Sequence, residues 1–138
     1  NHTGVILILG DPLEEIPEDL EFKAEAIIYL GAYISSVMNA ANFILPITTF
    51  TQQEGTFTNH NGRVQRLWPA IDISGTAKPA WSVLGELVAI LEGDHPPSNI
   101  DQAFQVLVNK VPEYAGITYE DLGARGAQIN DTISLTRD

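Results

Sequence analysis

The sequence predicts an α/β fold: a partial open parallel sheet in βαβαβ order, followed by a β-hairpin and two to three C-terminal helices. Three observations carry this. Val5 to Leu9, Ala26 to Leu30 and about Asn42 to Leu45 are short, mostly apolar runs, each stopped by Gly or Pro. Gly55 to Leu67 is a turn-centred stretch of strand-forming residues. Beyond Gly75, two segments place apolar residues at three-four spacing. Runs that are apolar throughout read as strands covered on both faces, which is the habit of parallel sheets.

Taken in order, Val5 to Leu9 ends at Gly10-Asp11-Pro12, a turn signal. Asp11 to Glu25 holds seven carboxylates and one lysine, with Pro17 placed to open a short helix whose acidic first turn suits the helix dipole. Ala26 to Leu30 ends at Gly31, a short helical segment spans about Ser35 to Ala41, and the third run ends at Pro46. In an open sheet of this kind ligands sit beyond the carboxyl ends of the strands, here Gly10-Asp11, Gly31-Ala32 and Pro46-Ile47. For the hairpin, a two-residue Asn61-Gly62 turn sets Phe57 opposite Arg66. A four-residue loop from Asn59 to Gly62 instead sets Phe57 opposite Val64 and Thr56 opposite Gln65. The second is preferred, because it makes an apolar cross-strand pair and gathers Thr56, Thr58, Arg63 and Gln65 on the other face. Either Gly55 or Gly62, if held at positive φ, would make a β-branched replacement cost about 1 to 3 kcal/mol.

A helix is predicted from about Pro79 to Glu92, with Trp81, Leu84, Val88 and Leu91 on its core-facing stripe and Gly93 just past its end. Ser98 is the predicted cap of a second, more amphipathic helix carrying Ile100, Ala103, Phe104, Leu107, Val108 and Val111, stopped by Pro112. Thr118 to Asp121 opens a third, short one that ends at Gly123 or Gly126, and the final dozen residues show no period. The expected division is residues 1–75, the end of an α/β domain with its hairpin, and residues 76–138, a helical segment and tail. The chain opens at Asn1 without methionine and runs almost at once into an apolar strand, which reads as a boundary cut from a longer sequence.

Composition excludes several functions. Eighteen acidic against seven basic residues, a net charge of -11, leave no basic face for nucleic acid. Absence of cysteine removes thiolate catalysis, disulfides and iron-sulfur ligation. The three histidines, His2, His60 and His95, lack neighbours at ligand spacing, and no serine sits in a nucleophile elbow. No apolar run approaches the roughly 18 residues of a membrane span.

One series is distinctive: Ala41-Asn42-Phe43-Ile44-Leu45-Pro46, then Glu54-Gly55-Thr56-Phe57-Thr58-Asn59, then Gly62-Arg63-Val64-Gln65, then Ala77-Lys78-Pro79-Ala80-Trp81. It resembles the A-D-x-x-L-P, E-G-T-F-T-N, G-R-V-Q and A-x-P-x-W series of the molybdopterin oxidoreductase family, and the resemblance covers about residues 4 to 92. Within that family, Gly62-Arg63 is similar to the branch that forms the large iron-sulfur subunit of NADH-quinone oxidoreductases, respiratory complex I, whereas formate dehydrogenases usually show paired arginines there. The first branch implies a parent with iron-sulfur clusters that passes electrons from NADH towards quinone. It also implies a scaffolding role and no cofactor for this region, partners in the hydrophilic arm of the complex, and a peripheral place on the cytoplasmic side of the inner membrane. The second branch implies a formate dehydrogenase-like enzyme with molybdopterin. A free-standing α/β interaction module is the third reading. Asn42 departs from the family's aspartate, which weakens any catalytic duty for a carboxylate there. The resemblance implies that Glu54, Thr56, Thr58, Asn59, Arg63 and Gln65 face the cofactor cleft or its remnant; the plainer reading is turns at Gly55 and Gly62, a cap at Asn59, and Glu54 paired with Arg63 or Arg66. An unpaired edge of the parallel sheet is expected to recruit a second copy, giving a homodimer.

Overall fold

The computed structural model describes residues 3–10 and 24–129. Strands β1 (Thr3–Leu9), β2 (Ala24–Gly31) and β3 (Phe43–Pro46) form a parallel sheet in the order β1-β2-β3. Its register sets Leu7 beside Ile28 and Ile28 beside Phe43. The carboxyl ends lie together: the Gly10 amide donates to the Leu30 carbonyl at 2.8 Å and the Ile47 amide to that of Gly31 at 3.1 Å. The helix expected around Pro17 lies outside the described residues. Between β2 and β3 the predicted helical segment is a single 3-10 turn, Ser36–Asn39, with the Ser35 hydroxyl accepting from the Val37 amide. Asn42 is not in the strand but just ahead of it. Its Oδ1 accepts from the Ile27 amide at 2.8 Å and its own amide donates to the Ile27 carbonyl, so the side chain adds a rung to the ladder. Asparagine supplies there the same acceptor an aspartate would.

The sheet is covered unevenly. Tyr29, Leu30 and Val37 are fully buried, yet Val5, Leu7 and Leu9, which alternate along β1, are 43–59% exposed, as is Phe43. Runs apolar throughout did foretell parallel strands, but among the described residues nothing covers the second face of β1 and the start of β3.

The second sheet is antiparallel, with order β4-β5-β6, from β4 (Gly55–Thr58), β5 (Arg63–Leu67) and β6 (Ala127–Gln128). Neither predicted hairpin register is observed. Thr58 pairs with Val64, Phe57 with Gln65 and Thr56 with Arg66. The cause is the loop: Asn59 Oδ1 accepts from the amides of both Asn61 and Arg63 at 3.0 Å, and Gly62 adopts φ 73°, so three residues reverse the chain rather than two or four. That one-residue change of partner re-sorts the faces. Val64 is fully buried beside Thr58, while Phe57 is exposed beside Gln65. Of the two glycines, only Gly62 turns the chain: a Cβ there would meet Gln128 Nε2 and Ile129 Cγ1 at 2.9 Å, whereas one on Gly55 meets nothing within 4 Å. Strand β6 lies in the region without sequence period, and is held by pairing to Arg63 and Val64 and by Gln128 Nε2 donating to the Asn61 carbonyl.

An isolated parallel bridge between Ile47 and Lys78 brings the chain to α1 (Ala80–Glu92). Pro79 precedes its first turn and Gly93, at φ 70°, ends it, as the sequence predicts. The predicted core stripe is not the buried one: Val83 and Ala89 are buried, while Val88 is 47% and Leu91 85% exposed. Helix α1 is apolar almost all round, so period alone cannot choose its inward face. Helix α2 (Ile100–Lys110) is capped by Asn99, whose Oδ1 accepts from the Gln102 amide, rather than by Ser98; Ser98 instead donates its amide to Gln102 Oε1. Phe104 is its buried residue and joins Val64, Ile117, Tyr119 and Leu122 in one core. The third helix is a 3-10 turn, Glu120–Leu122.

Candidate functional site

The polar centre of the molecule is built where the chain enters β4, where β5 ends, and at Tyr119. Glu54 Oε1 accepts from Arg66 Nη2 at 2.7 Å and from the Tyr119 hydroxyl at 3.0 Å. The Arg66 guanidinium lies 3.7 Å from the Trp68 ring centre and 4.1 Å from that of Tyr119, held between two π-faces. Its Nε is buried without a hydrogen-bond partner among the described residues, so the rings rather than a second acceptor fix this side of the group. A second tie lies along the same face of β4: the hydroxyls of Thr58 and Tyr114 are 2.7 Å apart. Next to Glu54 opens a cavity of about 290 Å³ between the start of β4 and the two helices, lined by Gln53, Glu54, Thr56, Trp81, Ala103 and Phe104 among others.

A sequence model of the family described as molybdopterin oxidoreductase matches residues 1–90. The chain belongs to the molybdopterin oxidoreductase family. It is 33% identical over 131 residues to a G-type subunit of the NADH-quinone oxidoreductase of Rhizobium meliloti (strain 1021), an alignment covering 90% of this chain and 15% of that protein. It is 32% identical over 99 residues to F420-dependent formate dehydrogenase 2 subunit alpha of Methanococcus maripaludis, covering 70% of this chain and 14% of that one. Against the putative formate dehydrogenase YrhE of Bacillus subtilis it is 33% identical over 120 residues, 87% of this chain and 12% of the relative. The chain therefore spans a small part of the length of these relatives.

In this molybdopterin oxidoreductase chain the six residues singled out from the motifs go to different places. Glu54 and Thr56 line the cavity. Thr58 is bonded to Tyr114, and Asn59 is committed to its own turn. Arg63 donates from Nη1 to the Arg125 carbonyl, and Gln65 is exposed beside Phe57. A pterin is a flat heterocycle whose recognition needs donors and acceptors converging along its edges. Along the hairpin Thr56 and Thr58 lie on one face and Arg63 and Gln65 on the other, so the six side chains do not share one surface. Among the described residues no group of three His, Asp or Glu side chains is disposed to hold a metal ion. The ion pair of the plainer reading does form, with Arg66 and not Arg63 as the partner of Glu54. Sequence reasoning did not find Tyr119, Tyr114 or Trp68. Tyr119 lies 65 residues from Glu54 and nothing local marks it.

The electrostatics follow from this geometry. Burial, then the hydrogen bond to Glu54, pushes the Tyr119 hydroxyl up to about 12, with Arg66 opposing. The Glu54 bond also raises Arg66, against its desolvation. A phenol whose folded pKa lies above its unfolded value of about 10 stabilises the fold fully below that pH, and this contribution is lost as pH rises through 10 to 12. Wild type should therefore lose stability relative to Tyr119→Phe across pH 10–12, while at pH 7 the variant is less stable by about 1 kcal/mol, the scale of one lost hydrogen bond. Urea melts of both proteins at pH 7, 10 and 11.5 test this; a stability difference independent of pH contradicts it.

Proposed function

We propose that this chain is a region of the large subunit of an NADH-quinone oxidoreductase, and that its own task is architectural. Such a parent moves electrons from NADH towards quinone through iron-sulfur clusters held elsewhere. The observation carrying the architectural role is that four of the six polar motif residues, Glu54, Thr58, Asn59 and Arg63, spend their side chains on bonds within the fold. Glu54 and Thr58 tie β4 to Tyr119 and Tyr114 of the C-terminal segment. The branch assignment is supported by Gly62-Arg63 ahead of Val64-Gln65 and by the alignment with the Rhizobium meliloti protein over 90% of this chain. Val64 and Phe104, from either side of residue 75, share one core. Partners are other subunits of the hydrophilic arm, and the place is peripheral, on the cytoplasmic side of the inner membrane; among the described residues no helix is long and apolar enough to cross a membrane.

The second reading, a formate dehydrogenase-like parent, is favoured by the matches to the Methanococcus and Bacillus proteins. Purifying the complete gene product with its associated subunits separates the two. Co-purification of NADH-oxidising subunits, with quinone reduction and iron but no stoichiometric molybdenum or tungsten, is expected. Stoichiometric molybdenum or tungsten with formate oxidation replaces the first reading by the second.

A further inference from the structure

The parallel sheet has one apolar face that the described residues leave open. Its register sets Leu7 beside Ile28 and Ile28 beside Phe43, with Val5 beside Ala26 on the same side, so one face runs across all three strands. Val5, Leu7, Leu9 and Phe43 on this face are exposed, and only Leu30, near the carboxyl end, is fully buried. The opposite face carries the chain's own cover. Ile27 and Tyr29 are buried there, and the Tyr29 hydroxyl donates to the Tyr33 carbonyl at 3.3 Å, in the connection between β2 and β3. Connections between parallel strands are right-handed, so steps taken in one direction across a sheet return over one face. The order β1-β2-β3 is two such steps.

We propose that the open face seats a helix of the same polypeptide, contributed by sequence outside residues 1–138. This rests on the chain being a region of a longer subunit, a premise that both readings of its function share. Parallel sheets are covered on both faces by helices of the chain that winds them, because each parallel strand needs a crossover to bring the chain back. Polypeptide for such a helix is plentiful in the relatives: the alignment with the Rhizobium meliloti protein covers only 15% of it. A surface that meets a separate subunit keeps a polar rim around its apolar centre, whereas the strip through Leu7, Ile28 and Phe43 is apolar from one edge strand to the other. A second copy is disfavoured by charge, since it would bring -11 against -11.

Photocross-linking in the complete gene product, purified with its associated subunits, tests this. A benzophenone-bearing phenylalanine analogue replaces Phe43 in one variant and Leu7 in another, and the cross-linked peptides are mapped by mass spectrometry. Both positions should join peptides of the same polypeptide from outside residues 1–138, with the subunit mass on a denaturing gel unchanged and the cross-link lost in urea. The exchange at Phe43 is aromatic for aromatic, so it keeps the test sound where the bulkier change at Leu7 disturbs the strand. A cross-link to another subunit, a doubled mass from a second copy, a partner peptide within residues 1–138, or no cross-link at either position overturns the assignment. Each of those results leaves the choice between the NADH-quinone oxidoreductase and formate dehydrogenase-like parents where it was. A complete gene product with no polypeptide beyond residues 1–138 overturns the parent reading and this assignment together.

Discussion

Phe104→Ala should destabilise the chain by about 4 kcal/mol, near the middle of the range for emptying a buried phenylalanine site. Phe104 is 4% exposed and is the one residue of α2 in the central core, where it packs with Val64, Ile117, Tyr119 and Leu122. Its ring stands 5.8 Å from Tyr119 in a tilted pair and 6.3 Å from Tyr114 edge-on. Removing it takes away apolar burial and two aromatic contacts, and it loosens both tyrosines that tie β4 to the C-terminal segment. A domain of this size commonly has about 5 to 15 kcal/mol in hand, so the variant should sit close to unfolding at ambient temperature. Urea denaturation followed by circular dichroism gives the number. A loss below about 1 kcal/mol would mean that α2 does not rely on this anchor, and the shared core would have to be redrawn.

Gly126→Ala should cost about 3 kcal/mol, combining backbone strain with a steric conflict. Gly126 sits at φ 67°, and an added Cβ would run into the backbone carbonyl of Val64, which cannot swing aside as a side chain would. Its amide donates to the Leu122 carbonyl, and the chain then pairs at once with β5 through Ala127. The methyl group therefore pushes β6 off the sheet. Gly75→Ala is the control: its φ is 76° but nothing lies within 4 Å of the added carbon, so strain acts alone and the cost should be about 1 kcal/mol. Thermal melts of the two variants compare them. Equal small losses would show that close approach to Val64 is not what holds β6.

Much of the fold was legible because the signals are local. Three short apolar runs stopped by Gly or Pro mark β1 to β3, and Pro79 and Gly93 bracket α1 within a residue of its observed ends. The hairpin was legible as a hairpin but not in register. Deciding it required knowing that Asn59 would spend its carbonyl oxygen on two loop amides, and that Val64 would be drawn inward by Phe104 from another element. The candidate site shows the same limit. The motif residues Glu54 and Thr58 could be named from sequence, and so could Arg66 as a possible partner of Glu54. Their closing partners Tyr119 and Tyr114 come from a segment with no motif.

By itself, then, the sequence determined what short-range chemistry controls. Strand and helix identity follow from periodicity, termini from proline and glycine, the absence of sulfur chemistry from composition, and the family from four spaced motifs. Tertiary structure decided everything that depends on which surfaces meet: the pairing of Thr58 with Val64, the burial of Val83 and Ala89 in place of Val88 and Leu91, the docking of β6, and the closure of Glu54 by Arg66 and Tyr119. The physical reason is that an apolar residue carries the same driving force for burial whichever neighbour covers it. Only the packed arrangement chooses among faces that are equally apolar in sequence.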